Sequence, residues 1–386
     1  MKRKGFLQTA CTMAAALLLL AGCTQDELSD GQGEPLPEGK YPLTFNATIG
    51  GATVVATPQT RASVDNTFEA TDYIGAKIPV DNNSGINSRY VIFKKDGADD
   101  TTWEYDSNMN AQDSNGEFYW EHTLNSYRVK AWHFNQDAAG EYYKSQYSNG
   151  NGNHPGNTYN GFSWTVATDQ NKDNGYANSD FLYADDNIQF PGGTIYGNNT
   201  TLHFFHQTSK VVVHIIAGDR TPADITGDSI SSMTIGKATT DPIYVGGTWE
   251  EALGSVVLGK WTTESWSGTT PTGTITPKRL EAKPENVQLE EGETWLASYE
   301  ALVIPQKIAA GKKLFVINVK GYEPFYYTVP TGGIEWFYPN NAGECGGAEF
   351  TYYITIEGSS LSVTTSQSSI GWDTSGESGS GSGELK

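Results

Sequence analysis

The residues able to do chemistry are few, and their spacing limits what they can do. His203 and His206 lie three apart in a stretch that reads as a strand, so their side chains point to opposite faces and cannot hold one ion together. His206 and His214 share a face but are far apart along it. Asp169, Asn171 and Asp173 alternate in a run that ends at Asp180, and oxygens so spaced can wrap a hard cation. In that run Asn174 stands where the turn needs glycine, which is displaced to Gly175, and no helices flank it. Glu250-Glu251 and Glu290-Glu291 are adjacent, a spacing that gives no carboxylate pair for glycoside hydrolysis. There is no Gly-x-Ser-x-Gly and no phosphate-cradling loop. The expectation is a protein that is not an enzyme and has no cofactor and no metal. One further position invites chemistry done to the chain. Arg61 is a lone basic residue between Thr60 and Ala62, an accessible target for an arginine-specific, trypsin-like protease cutting between Arg61 and Ala62.

The second such position is Cys23. Residues 1–22 form a secretory signal, with Lys2-Arg3-Lys4 as the charged start and an apolar core over residues 13–20. Leu20-Ala21-Gly22-Cys23 resembles the lipoprotein lipobox, which implies cleavage before Cys23 and acylation of its thiol, palmitate included. Each buried methylene contributes about 0.8 kcal/mol, so two or more chains would anchor the protein to the outer membrane. Thr24-Gln25-Asp26-Glu27 follows, an acidic pair similar to a surface-export signal. Cys11 leaves with the signal and Cys345 stands alone, so the mature chain has no intrachain disulfide. Residues 23–40 read as a flexible tether, and no later run is long and apolar enough to span a bilayer as a helix.

The elements that position these residues are strands. The chain has 386 residues with 43 Gly, 12% aromatic and only 18% charged residues, the profile of an all-β protein rich in turns. Its net charge of −20 becomes −23 once Lys2, Arg3 and Lys4 are gone, which argues against nucleic acid as a partner. Residues 43–49 alternate, with Leu43, Phe45, Ala47 and Ile49 on one face and Thr44, Asn46 and Thr48 on the other. Further strands are expected at 72–78, 89–93, 102–105, 118–120, 128–134 and 179–184. Residues 201–216 form the strongest strand signal, and Asn198-Asn199 before it reads as a domain junction. Beyond it come 230–235, 242–245, 254–258, 286–289, 299–304, 313–319, 325–329, 349–356 and 361–365. The spacing predicts two β-sandwich domains in tandem, 41–197 and 198–373, with residues 374–386 a flexible Gly/Ser tail.

Several blocks, taken in order, resemble the fimbrillin family, the subunits of type V pili. They are the lipobox with its acidic follow-on; Thr60-Arg61 ahead of Thr71-Asp72-Tyr73-Ile74-Gly75; Leu202-His203-Phe204-Phe205-His206-Gln207 with Ser209-Lys210-Val211; Ala301-Leu302-Val303-Ile304-Pro305-Gln306; and residues 350–356 with Leu361-Ser362-Val363 and Ile370-Gly371-Trp372. Asp72 follows Thr71 where the family has glycine, and Tyr338-Pro339-Asn340 is followed by an insertion through Gly347. The resemblance implies two transthyretin-like β-sandwiches, export as a lipoprotein, cleavage after Arg61 and assembly with other pilin subunits by strand exchange. The segment 41–61 would then be a removable strand, with Leu43, Phe45, Ile49 and Val54 filling a groove meant for a strand from another copy. Leu361, Val363, Ile370 and Trp372 are either the donor strand for a neighbour or the last strand of their own domain. A chain that stops soon after Trp372 also fits a tip or accessory subunit, which accepts a strand and donates none, and whose surface ligand is a host or bacterial one. The alternative is a glycan-binding surface lipoprotein using Tyr142, Tyr143, Tyr147 and Tyr159 as stacking platforms.

Overall fold

A computed structural model gives the architecture. It describes residues 41–49, 68–69, 72–79, 88–95, 102–111, 116–120, 126–135, 155, 161–172, 174–189, 201–251, 258–263, 270–338, 344–358, 360–367 and 378–384. The protein is all-β, and among the described residues the helical element is a single 3-10 turn, Ala177–Ser179. No described helix is long and apolar enough to cross a membrane.

The first sheet closes on itself. Its order is Thr201–His206, Phe45–Ile49, Thr102–Tyr105, Ser88–Lys95, Tyr73–Pro79, Ser126–Phe134 and Phe181–Gln189, which returns to pair with Thr201–His206. Alternation explains the inward faces: Tyr127, Val129 and Ala131 are buried on one strand while Ser126 and Arg128 are exposed between them. Outside, Arg128 makes a two-pronged contact with Asp185 on the neighbouring strand, Nε and Nη2 each 2.7 Å from a carboxylate oxygen.

The second body is a sandwich. Its larger sheet runs Lys278–Arg279, Thr294–Val303, Ser209–Ala217, Glu349–Glu357, Ser360–Gln367 and Ser378–Glu384. Facing it are Ile230–Ile235, Lys313–Val319 and Phe325–Thr328. Between the sheets Phe315 meets Tyr352 edge-on at 4.8 Å, and Trp336 donates its Nε1–H to the Tyr352 hydroxyl at 3.0 Å.

Four sequence expectations change. Residues 201–216 are two strands, Thr201–His206 in the barrel and Ser209–Ala217 in the sandwich, so the chain changes sheet at Gln207-Thr208 and not at Asn198-Asn199. The division into 41–197 and 198–373 is also crossed, because Phe162–Thr165 pairs with Gly246–Glu250, beyond that boundary. Residues 286–289 form no strand: Val287 is buried, but its N–H closes a turn onto the Pro284 carbonyl at 3.1 Å. The expected flexible tail contains the strand Ser378–Glu384. One hydrophobic core runs through both bodies, with Phe134 stacked on Trp164 at 4.9 Å and Phe181 against Trp249 at 5.2 Å.

Side-chain amides finish what the ladders leave open. Gln170 donates to the Leu302 carbonyl at 2.7 Å and accepts from the Leu302 N–H at 2.8 Å. Gln306 does the same for Tyr244, at 2.8 and 2.9 Å, and Asn110 for Ile92, at 2.7 and 2.9 Å. Each amide acts as a missing peptide unit and removes the cost of unpaired backbone groups. His214 is buried on the outer side of the sandwich, with Nδ1 2.8 Å from the Ser298 hydroxyl. Burial, helped by Lys210 and Lys283 and opposed by Glu300, pulls its pKa from 6.5 down to about 4.

Gln170→Ala leaves both Leu302 backbone groups unpaired and should lower stability by about 2–4 kcal/mol in urea unfolding; a loss below about 0.5 kcal/mol would show that the amide is dispensable. As pH falls, the unfolded chain protonates at His214 before the folded one does. This contribution is therefore complete above pH 6.5 and lost as pH drops to about 4, a change of about 3 kcal/mol. A His214→Gln chain should keep its stability across that window better than the wild type, and parallel curves would remove His214 as the cause.

Candidate functional site: the strand that closes the barrel

The residues with functional expectations converge on one seam. Phe45–Ile49 lies between Thr201–His206 and Thr102–Tyr105. It is parallel to the former, with Asn46 opposite Thr201 and Ile49 opposite Phe204. It is antiparallel to the latter, where two pairs join them, Phe45 with Trp103 and Asn46 with Thr102. Leu43 adds a backbone bond from its N–H to the Phe118 carbonyl at 2.8 Å.

The side chains follow the alternation of the sequence. Leu43, Phe45 and Ile49 are 1%, 2% and 5% exposed, Ala47 is half-buried, and Thr48 faces solvent. Phe45 meets Phe93 edge-on at 4.7 Å. Next to it Phe68 makes edge contacts with Trp103 at 5.1 Å, His133 at 5.3 Å and Phe204 at 5.4 Å. The core around the seam is therefore built from both sides of Arg61: Leu43, Phe45 and Ile49 come before it and Phe68 after it. Burying the three large side chains of the seam is worth about 5–9 kcal/mol in total, an upper bound. Lifting the strand out would open the barrel along one line and leave two strands with unpaired edges.

The other expected site residues fall into two groups. Cys23, Val54, Arg61, Ala62, Ile370 and Trp372 lie outside the described residues, as do Tyr142, Tyr143, Tyr147 and Tyr159. Leu361 and Val363 are buried in Ser360–Gln367. That strand pairs with Glu349–Glu357 on one side and Ser378–Glu384 on the other, so here it belongs to its own sheet.

The polar residues with metal-ligand spacing are engaged otherwise. Among the described residues, no group of three or more His, Cys, Asp or Glu is arranged to hold an ion. Asp169 is bridged by Lys172 at 3.1 Å, and the Asn171 side-chain oxygen Oδ1 accepts from the Arg279 backbone N–H at 2.9 Å. Asp180 is buried against His206, 2.9 Å from Nδ1. Exposed His203 sits 3.4 Å from Asp186. Cys345 is buried, and burial pushes its thiol above the usual range, away from reactivity.

Sequence reasoning missed the work of Gln207. Its backbone N–H donates to the Phe181 carbonyl at 2.8 Å, while its side-chain oxygen accepts from Trp249 Nε1 at 3.0 Å and Gly259 N at 2.8 Å. Its own carbonyl accepts from Trp261 Nε1 at 2.7 Å. A Cβ on Gly346 would stand 1.9 Å from that same carbonyl oxygen, so this close approach requires glycine. The signal was present in the His206-Gln207 and Pro305-Gln306 pairs, each within a family-like block.

A family model described as fimbrillin-like matches residues 60–371. A search of curated proteins gives no match. Among solved structures, candidate cell adhesion proteins from Bacteroides ovatus and Bacteroides uniformis share 14% and 16% identity, each at a TM-score of 0.49; the alignments cover 86% and 87% of this chain and 98% and 99% of theirs. The tip fimbrial protein Mfa3 from Porphyromonas gingivalis, truncated at its C-terminus, shares 10% identity at a TM-score of 0.44, covering 86% of this chain and 100% of the other.

The seam generates a direct test. Phe45→Ala should cost about 3–5 kcal/mol in urea unfolding, whereas Thr48→Ala on the exposed face should stay within about 0.5 kcal/mol. Equal, small effects from both would mean that the strand adds nothing to the barrel.

Proposed function

The chain belongs to the fimbrillin-like family, and from that membership we propose that it is a pilus subunit or pilus-associated adhesin matured by removal of its seam strand. Export as a lipoprotein acylated at Cys23 brings it to the outer membrane and the cell surface. An arginine-specific protease cuts between Arg61 and Ala62. The released strand leaves a slot between Thr201–His206 and Thr102–Tyr105, and a strand from another pilin subunit fills it.

The observation that carries this reading is the seam itself: a strand upstream of Arg61, bonded on both edges and holding three buried apolar side chains. Such a slot binds a donor by the same backbone pairing and side-chain burial that the resident strand uses. A donor therefore has to present large apolar residues at alternate positions, running parallel to Thr201–His206. Both edges of Ser360–Gln367 are occupied within its own sheet, which favours a subunit that accepts a strand and keeps its own C-terminal strand at home.

Limited trypsin treatment should remove the segment ending at Arg61 and leave a folded remainder, seen as one mass step with retained β circular dichroism. Arg61→Ala should persist at the surface at full length and unassembled. Normal assembly of that variant would take Arg61 out of the mechanism.

A further inference from the structure

The outer edge of the larger sandwich sheet has an unusual cover. Ser360–Gln367 is paired along its free side by Ser378–Glu384, antiparallel, from Ser360 opposite Glu384 to Ser366 opposite Ser378. The covering sequence alternates serine and glycine. Gly383, Gly381 and Gly379 take the register positions opposite Leu361, Val363 and Thr365. Glycine is among the poorest strand formers and brings no side chain to pack, so backbone bonds do most of the work of pairing this strand to Ser360–Gln367; it also runs close to Phe325–Thr328 of the facing sheet.

The strand beneath it has the opposite character. Ser360–Gln367 reads SLSVTTSQ, with no charge and no proline. Leu361 and Val363 are buried inward, while Ser362 and Thr364 are exposed outward. Exposed edges are usually protected by lysine, proline or a bulge, and this one carries none of them. Its single protection is the Gly/Ser strand.

We propose that the edge of Ser360–Gln367 is a pairing surface for the same strand of a second copy of this chain, and that Ser378–Glu384 is the cover that keeps two copies apart. Both neighbours of Ser360–Gln367 pair with it antiparallel. Antiparallel pairing of one strand with its own copy is what a two-fold axis produces, so the edge is self-complementary. A second copy brings a β-branched, serine- and threonine-rich strand in exchange for a serine–glycine one, a better ladder partner at each inward position. This surface is separate from the seam of the barrel and does not depend on cleavage at Arg61.

The test compares the full chain with a chain ending at Asp373, both carrying Arg61→Ala so that loss of the seam strand cannot contribute. Sedimentation equilibrium should find the full chain monomeric. The shortened chain should approach a twofold higher weight-average mass between about 1 and about 100 μM, by simple mass action. Thr364→Lys in the shortened chain places like charges on the paired strands and should return it to monomer. A second variant keeps the length and replaces Gly379, Gly381 and Gly383 with proline; it should dimerise as the shortened chain does, and it decides the matter if the shortened chain fails to fold. A folded, monomeric chain after loss of the cover overturns the proposal. So does a dimer indifferent to Thr364→Lys.

Discussion

The structure depends on closing a sheet whose last partner comes from the start of the chain. Thr201–His206 and Thr102–Tyr105 cannot reach each other in this barrel; Phe45–Ile49 stands between them. Without it, two rows of backbone groups and the apolar slot that holds Leu43, Phe45 and Ile49 would face water. Closure joins the beginning of the chain to residues more than 150 positions later, as in the pairing of Asn46 with Thr201. A contact of such sequence separation is expensive in chain entropy to form and, once the backbone between its ends is cut, is held by non-covalent bonds alone. The same feature that makes the strand structural is what the proposed cut at Arg61 would act on.

The second dependence is the sheet change at Gln207-Thr208. Here the chain leaves a barrel strand and enters the central strand of the sandwich without glycine or proline. The turn is imposed from a distance: Phe181 receives the Gln207 N–H, Trp249, Gly259 and Trp261 bind its oxygens, and Gly347 donates to the Thr208 carbonyl at 3.0 Å. With His206 held by Asp180, the junction is a block of hydrogen-bonded polar groups inside an aromatic core, with Thr208 Oγ1 and Asp180 Oδ2 buried without a partner beside it. Gln207 and Gln306 are structural amides that stand in for peptide groups.

How much of this was legible in the sequence follows from the same physics. Strands with strict alternation or dense β-branching were readable, and Thr102–Tyr105, Ile230–Ile235 and Lys313–Val319 lie where their patterns place them. The seam strand was readable too, from Leu43, Phe45 and Ile49, because period two is local information. The break at Gln207 was not, since its cause is tertiary. Residues 286–289 mislead for the converse reason: Val287 and Leu289 alternate with polar residues, yet the turn onto Pro284 fixes the chain as a loop. Gly246–Glu250 was hidden because Gly246 and Gly247 argue against a strand. A Cβ at Gly246 would come within 3.1 Å of Pro271 and 3.0 Å of Thr165. The strand tolerates glycine because neighbours press on it.

The Gly/Ser tail shows the limit of composition as a guide. Low complexity predicts flexibility because such residues cannot bury enough apolar surface to order themselves. An edge strand needs no such burial when an ordered neighbour already offers a full row of donors and acceptors. Ser360–Gln367 is that neighbour, fixed on its other side by Glu349–Glu357 along eight paired positions, Phe350 with Gln367 through Glu357 with Ser360. The order of the tail is borrowed, so it is the first part of the sheet that a stronger partner would displace. The barrel seam and the sandwich edge thus present the same physical situation at opposite ends of the chain. In each, a terminal strand completes a sheet that the rest of the fold leaves one strand short. They differ in what holds the strand in place. At the seam the large side chains of Leu43, Phe45 and Ile49 are buried and resist displacement. At the edge the glycines of the covering strand offer no such side-chain resistance.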